Sequence, residues 1–456
     1  MNNGMSRQQS LPSPDAASRH SGKRPAWFTP IFFALSGTLM ATSIVNVGNS
    51  GIAFFYLAFL FPFASLIFPP DWTRGRNFMA SSVQMALLIG ALTAALLATT
   101  VLQMVTLNFL EPRGELVHLI SRLSFLGYFL IAHWYLHGET LAKTLVWLRR
   151  CLMVVCAYGV YQLPAKLLGL PLFLDWLRNN RSFDTYGYDT AGWIGLIRAT
   201  SIYAEPSQAT IPILVLFILN LQISTSALSK TVGWLVLIAF TIMTFSRTAW
   251  VAVGIEAVLW LLFRSERFAR IIQVRRPTLI WATLLALLIS PMWGFLEARD
   301  NVDLSAQERS GGIVLGVEMI RDAPILGQGW NSFSAAVSRY SNLGPSVDSS
   351  VNFGFIHNMV VSYVQQAGLS GLLLAVLPFI LLIGWSSAPC WVTYASLASF
   401  LVTAELGDIG YSSLTWFWLA ALVNMSNALP YLESRRISVR QPLYTGHMSP
   451  WPRSSS

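Results

Sequence analysis

Residues 358–384, NMVVSYVQQAGLSGLLLAVLPFILLIG, contain no Asp, Glu, Lys or Arg. Roughly 20 apolar residues suffice for a helix to cross the hydrocarbon core of a bilayer. A helix this long and this apolar spans a membrane, so the stretch decides the fold class: an all-α, polytopic integral membrane protein. Eleven further stretches qualify or come close, at about 31–47, 51–70, 79–106, 116–136, 150–170, 207–226, 231–246, 248–263, 279–296, 388–406 and 414–430. The expectation is about twelve transmembrane helices. The seventh and eighth, 231–246 and 248–263, are short enough to form one hairpin with a tight outer turn at Ser246-Arg247. The whole chain is 54% hydrophobic and 11% charged, against about 25% charged in a soluble domain.

The basic residues are sorted to one side. With the N-terminus inside, alternation gathers most Lys and Arg on the inner face, including Arg74, Arg76, Lys143, Arg149, Arg150, Lys230, the run from Arg264 to Arg276, Arg435, Arg436 and Arg440. Cytoplasmic loops carry this excess, so both termini are expected in the cytoplasm. Residues 1–26 read as a disordered cytoplasmic tail, 27–431 as the transmembrane domain and 432–456 as a second cytoplasmic tail. The net charge of +9 is topology and attraction to anionic membrane lipids. No basic stretch is interleaved with a nucleic-acid-binding motif, so nucleic acid is not an expected partner. Cys151, Cys156 and Cys390 fall in or beside spans and imply no disulfide framework. There is no Cys/His cluster with zinc spacing and no phosphate loop, so no metal and no cofactor are expected.

Two connections are long, about 171–206 and 297–356, and both face outward in this topology. Long connections between spans are functional or disordered; these are rich in Gly and aromatic residues and read as folded. The second is expected to hold a short amphipathic helix, from near Gly311 through Met319, ended by Pro324 and Gly327. The ionisable residues at the outer boundary come from separate segments: Arg198 ahead of Glu205-Pro206, Arg247 at the hairpin, Arg309 in the second loop and His357-Asn358 opening the tenth span. Arg122, with His118 one turn before it, lies within the fourth span and Glu256 within the eighth. Arg122 and Glu256 either serve a site or neutralise each other.

Clustered arginines bind a polyanion, because the guanidinium fork matches phosphate oxygens. Fixed cations also stabilise the charge that develops on a departing diphosphate. A histidine beside them can take a proton from an attacking hydroxyl, and Glu205 can do the same or orient an arginine. Each residue also has a plain role. An outer arginine can snorkel to lipid phosphate, Glu205-Pro206 can be a helix entry and His357-Asn358 an interfacial cap.

Together these segments resemble the O-antigen ligase and O-antigen polymerase superfamily. The resemblance rests on Arg198 with Tyr203-Ala204-Glu205-Pro206-Ser207, on Phe245-Ser246-Arg247-Thr248, and on Arg309 ahead of Pro324-Ile325-Leu326-Gly327-Gln328-Gly329-Trp330. It rests most of all on His357-Asn358 and, after nine intervening residues, Gly368-Leu369-Ser370-Gly371. It covers about 195–375; the first five spans match only as apolar helices. Ligases often carry Thr after the final glycine, where this chain has Leu372-Leu373. Independently, eleven residues make about three turns of helix, so a continuous helix puts His357 and Gly368 on one face. Gly368 and Gly371 would let a neighbouring helix approach closely.

The resemblance implies a metal-independent membrane glycosyltransferase with the helical architecture called GT-C, in a bacterial inner membrane with its site on the periplasmic face. The donor is a glycan on undecaprenyl diphosphate. The acceptor is a hydroxyl of another glycan or of lipid A–core, and other polysaccharide-assembly proteins are possible partners. Arg198, Arg247 and Arg309 are the expected diphosphate ligands, with Arg122 and Asn358 as further binding residues. His357 or Glu205 is the base, and Gly368 and Gly371 are structural. Polymerisation of O-antigen or exopolysaccharide repeat units is preferred over ligation to lipid A–core, with a lipid-linked-glycan flippase as the alternative of another class.

Overall fold

The structure is a computed structural model that describes residues 28–440, apart from 41, 48–49, 63–75, 108–111, 180–189, 192–195, 204–205, 224–225, 265–275, 298–303, 331, 334–355, 357 and 407–411. The expected N-terminal tail lies outside the described residues.

The chain is a helical bundle. Helix α1 is Phe28–Thr38, followed by a hairpin of β1 (Ser43–Val47) and β2 (Ser50–Ala53) and a 3₁₀ segment, Phe54–Leu60. Then come α2 (Arg76–Thr106), α3 (Pro112–Tyr135) and α4 (Gly138–Leu168). A short ladder of β3 (Thr190–Ala191) and β4 (Leu196–Ile197) leads to α5 (Thr210–Gln222), α6 (Ala227–Met243), α7 (Arg247–Arg264) and α8 (Arg276–Glu297). The remaining elements are α9 (Leu304–Asp322), α10 (Met359–Trp385), α11 (Cys390–Leu406), α12 (Ser413–Val423) and α13 (Met425–Arg440).

Among the described residues, four helices are long and apolar enough to cross a membrane: Ser82–Thr106, Arg113–Tyr135, Gly138–Leu168 and Met359–Trp385. Six shorter apolar helices accompany them. The bundle centre is α5, α10 and α12. Every residue from Ser413 to Val423 is buried, which is how a helix apolar on all sides behaves when neighbours surround it. By contrast α2 leaves Leu87, Leu97, Val101, Leu102 and Val105 exposed, the pattern of a helix turned to lipid.

Three expectations need correction. The expected first span, 31–47, is helical only to Thr38, and the second, 51–70, begins as β2; its residues 63–70 lie outside those described. Ser43-Ile44-Val45-Asn46-Val47 is apolar enough to extend the expected span. Its β-branched residues favour a strand, and the register Val47 to Ser50 leaves Gly48-Asn49 as a two-residue connection. The hairpin is held by the segment that follows α4. Thr42 Oγ1 donates to the Leu177 carbonyl at 2.7 Å, and the Ser43 amide donates to Asn179 Oδ1 at 2.7 Å. Second, the amphipathic helix expected from Gly311 begins at Leu304, because Gly311 and Gly312 are buried inside it rather than ending it. Third, the expected C-terminal tail is helical through Arg440, and α13 packs on α4; residues 441–456 lie outside those described. The tight turn between α6 and α7 is as expected, three residues long.

Candidate functional site at a broken helix

The decisive stretch is one helix in sequence and two in space. Within α10, Ala367 has φ −134° and ψ 19°, and Gly368 has φ 55° and ψ −131°. Gly368 sits where side chains are strained and glycine is not. The break overturns the helical-phase argument: three regular turns do not run from position 357 to 368, and His357 itself lies outside the described residues. The upper half of α10 starts at Asn358, whose side chain accepts from the Val361 amide at 3.0 Å, an N-cap.

A break deep in an apolar span exposes backbone groups that water does not reach. The Ile325–Gly329 turn covers them. Gln328 and Gly329 amides donate to the carbonyls of Gln365 (2.7 Å) and Gln366 (3.0 Å), closing the end of the upper half. The Leu369 amide donates to the Ile325 carbonyl at 3.0 Å, closing the start of the lower half. The fit needs glycines on both sides. A Cβ at Gly368 would strike the Ile325 carbonyl, and one at Gly327 (φ +74°) would lie 2.6 Å from the Ala367 amide. Gly371 is tight for another reason: its Cβ would strike the Tyr363 carbonyl across the break. Gly368 and Gly371 admit a loop and the helix's own previous turn, not the neighbouring helix that was expected.

The first half of the chain fastens this arrangement. Gln103 of α2, fully buried, donates from Nε2 to the Leu326 carbonyl at 2.5 Å and to the Gln366 carbonyl at 2.8 Å. Glu115 of α3 accepts from the Trp330 amide at 2.6 Å. Thr100 Oγ1 accepts from Trp330 Nε1 at 2.9 Å. Arg122, 2% exposed, donates to the Tyr363 hydroxyl at 2.7 Å, with its guanidinium carbon 4.4 Å from that ring's centroid. Arg122 does not neutralise Glu256; the Glu256 carboxylate meets Ser399 of α11 at 2.9 Å instead.

A second cluster forms at the α6–α7 turn. Arg198 Nε donates to the Thr244 carbonyl at 3.1 Å, and the Ala199 amide to the Met243 carbonyl at 2.9 Å. The segment carrying Arg198 is thus laid against the turn that presents Arg247. Both partners of this contact contain a non-glycine residue at positive φ, Ser201 (56°) and Phe245 (47°). Such strain persists only where surroundings impose it, and here Gln162 of α4 imposes it. Its Oε1 accepts from the Thr200 and Ser201 amides at 2.9 and 2.8 Å, and Ser201 Oγ donates to the Val155 carbonyl at 2.6 Å. Tyr203 is buried, which holds its hydroxyl protonated well above the usual tyrosine range.

Arg198 is half-buried and Arg247 exposed. Arg309 lies on α9, which packs against α10. Glu205 lies outside the described residues. Alternation of the helices puts both clusters at one end of the bundle, at the end of α2, the start of α3, the end of α4, the α6–α7 turn and the start of α10. Sequence reasoning missed Gln103, Glu115, Gln162 and Tyr363. The available signal was a buried-type position occupied by an amide or acid near a span end, where polar groups are costly and have a reason to be present.

Residues 232–376 match the family model described as O-antigen ligase. Over those residues the chain is similar to the O-antigen ligase and polymerase superfamily. The matched region runs from α6 to the lower half of α10 and so contains Arg247, Arg309, the Ile325–Gly329 turn and the broken helix. Members of this superfamily are membrane enzymes of the glycosyltransferase type, and the O-antigen ligase match lies in a chain with spans of matching character. No curated protein matches the chain. Gln103, Glu115, Arg122, Gln162 and Arg198 all lie outside the matched O-antigen ligase region, yet they hold or adjoin its two motifs.

Proposed function

We propose that the chain transfers a glycan from undecaprenyl diphosphate to a sugar hydroxyl at the periplasmic face of a bacterial inner membrane. The proposal includes a GT-C-like bundle of about twelve spans, fewer by one where β1–β2 replaces helix, with both termini cytoplasmic. The observation that carries it is the coincidence of the O-antigen ligase match with a break in α10 sealed by that region's own glycine-rich turn.

Arg198, Arg247 and Arg309 hold the diphosphate, with Arg122 and Asn358 nearer α10. The acceptor oxygen attacks the anomeric carbon as the bond from that carbon to the diphosphate oxygen breaks. The electron pair leaves on the diphosphate, where the guanidiniums stabilise it. His357 takes the hydroxyl proton, and Glu205 is the alternative base. Fixed cations supply the stabilisation that a metal supplies elsewhere, so the reaction proceeds without one.

Polymerisation of lipid-linked repeat units is favoured over ligation to lipid A–core because Leu372-Leu373 stand where ligases often carry Thr. The ligase reading is supported by the matched family's description. A strain lacking the gene separates them: single carrier-linked repeat units accumulate if a polymerase is lost, long carrier-linked chains if a ligase is lost. Purified protein given lipid-linked donor forms a new glycosidic bond with chelator present. Movement of donor across vesicles with no bond formed would instead indicate a flippase.

A further inference from the structure

The clamp on α10 is built by a residue outside the matched region. Gln103 lies near the end of α2, in a largely apolar stretch of the helix, and is fully buried. One carboxamide nitrogen serves two acceptors: Leu326 O in the turn and Gln366 O at the end of the upper half of α10. A carboxamide has two N–H groups, so both donors are used. Each acceptor is a carbonyl at the break. The Gln366 carbonyl is a particular weak point, since the break removes its regular partner four residues ahead. It receives Gly329 N and Gln103 Nε2 instead. Gln103 therefore joins three pieces, α2, the turn and the upper half of α10, at one atom.

The upper half is short. It runs from Met359 to Gln366 and is hinged at Ala367–Gly368. Its direction relative to the lower half is set by what holds the hinge, and the residue immediately before its N-cap is His357. We infer that Gln103 is a positioning residue. It fixes the tilt of the upper half of α10, whose cap Asn358 directly follows His357 in the chain. It touches no substrate. The inference rests on the glycosyltransferase reading above for its consequence, but not for its geometry. Displacements near 1 Å cost roughly 100-fold in rate when reacting groups must align.

The test uses full-length protein in lipid nanodiscs. Gln103→Met keeps the side chain's length and removes both donors. Gln103→Asn keeps an amide and shortens its reach. Expected for both are a fall in kcat of roughly 10- to 100-fold, donor KM within about twofold of wild type, and faster amide exchange at Gln328, Gly329 and Leu369. The pH profile of kcat is expected to move as well, because the imidazole's surroundings change. A folded Gln103→Met protein with kcat within twofold of wild type and unchanged exchange overturns the inference. Failure of both variants to fold also overturns it, assigning Gln103 to stability alone. If wild-type protein forms no glycosidic bond, the functional reading fails separately. Exchange at the three amides then still decides whether Gln103 holds the hinge.

Discussion

The break in α10 and the α6–α7 turn sit at the same end of the bundle and solve opposite problems. At the break, backbone groups deep among apolar side chains are closed by three amide–carbonyl bonds from a turn, and Gln103 closes the remainder. Little there faces outward: Gly327, Gln328, Gly329 and Trp330 are all buried. At the α6–α7 turn the backbone is short and strained at Phe245, the Arg198–Ser201 segment laid on it is pinned by Gln162, and Arg247 is exposed. One region spends its polar groups on itself, and the other keeps a charge at the surface. On the proposed function, the difference is between holding a catalytic group in place and meeting an anion that arrives from outside.

Substitutions should divide along the same line. The largest effect is expected at Gly368→Ala, which meets both the positive φ and the Ile325 carbonyl. A loss of about 3 kcal/mol or more in stability is expected from strain and overpacking together, with activity lost alongside it. Thermal unfolding in detergent measures it. Gly90→Ala and Gly254→Ala, with nothing within 4 Å of the added carbon, serve as matched controls and should be neutral or slightly stabilising. A destabilisation at Gly254 equal to that at Gly368 would erase the distinction.

Arg247→Ala should do the reverse. Activity falls roughly 100-fold, the scale of losing one fixed donor to a developing anion. The unfolding temperature moves little, because the side chain is exposed. Arg247→Lys recovers part of the rate, keeping charge but losing the bidentate fork. Steady-state transfer kinetics on the two variants check both statements.

Gln162→Leu is the intermediate case. It leaves the Thr200 and Ser201 amides without their acceptor inside the protein, a cost of about 1–3 kcal/mol. It also releases the segment bearing Arg198, so stability and donor affinity should decline together. Smallest is Glu115→Gln, where the amide oxygen still accepts from the Trp330 amide. A change under about 1 kcal/mol is expected there, measured by the same unfolding assay.

The long apolar helices were legible because a 3.6-residue period is not needed to recognise them; length and the absence of charge suffice, as in 358–384. The β1–β2 hairpin was not, because Ile44, Val45 and Val47 are as hydrophobic as helix residues and only their branching distinguishes them. The break was half legible. Gly368 and Gly371 stood out as spaced glycines, yet a continuous helix satisfies the same spacing. What ends the helix is the turn at Ile325–Gly329, which approaches from some 40 residues away in the chain. The contact of Arg198 with the Thr244 carbonyl was not legible, because the two residues are 46 apart and no pattern pairs them. Nor was Gln103, since a glutamine in a largely apolar span gives no hint of which carbonyls it meets.

The most direct measurement is binding of undecaprenyl diphosphate to purified protein by native mass spectrometry, with chelator present. It compares wild type with Arg198→Ala, Arg247→Ala and, at the opposite end of the bundle, Arg264→Ala. The account predicts retention in wild type and Arg264→Ala, and affinity weakened about tenfold or more in the other two. Equal weakening in all three, or none in Arg198→Ala and Arg247→Ala, would contradict it.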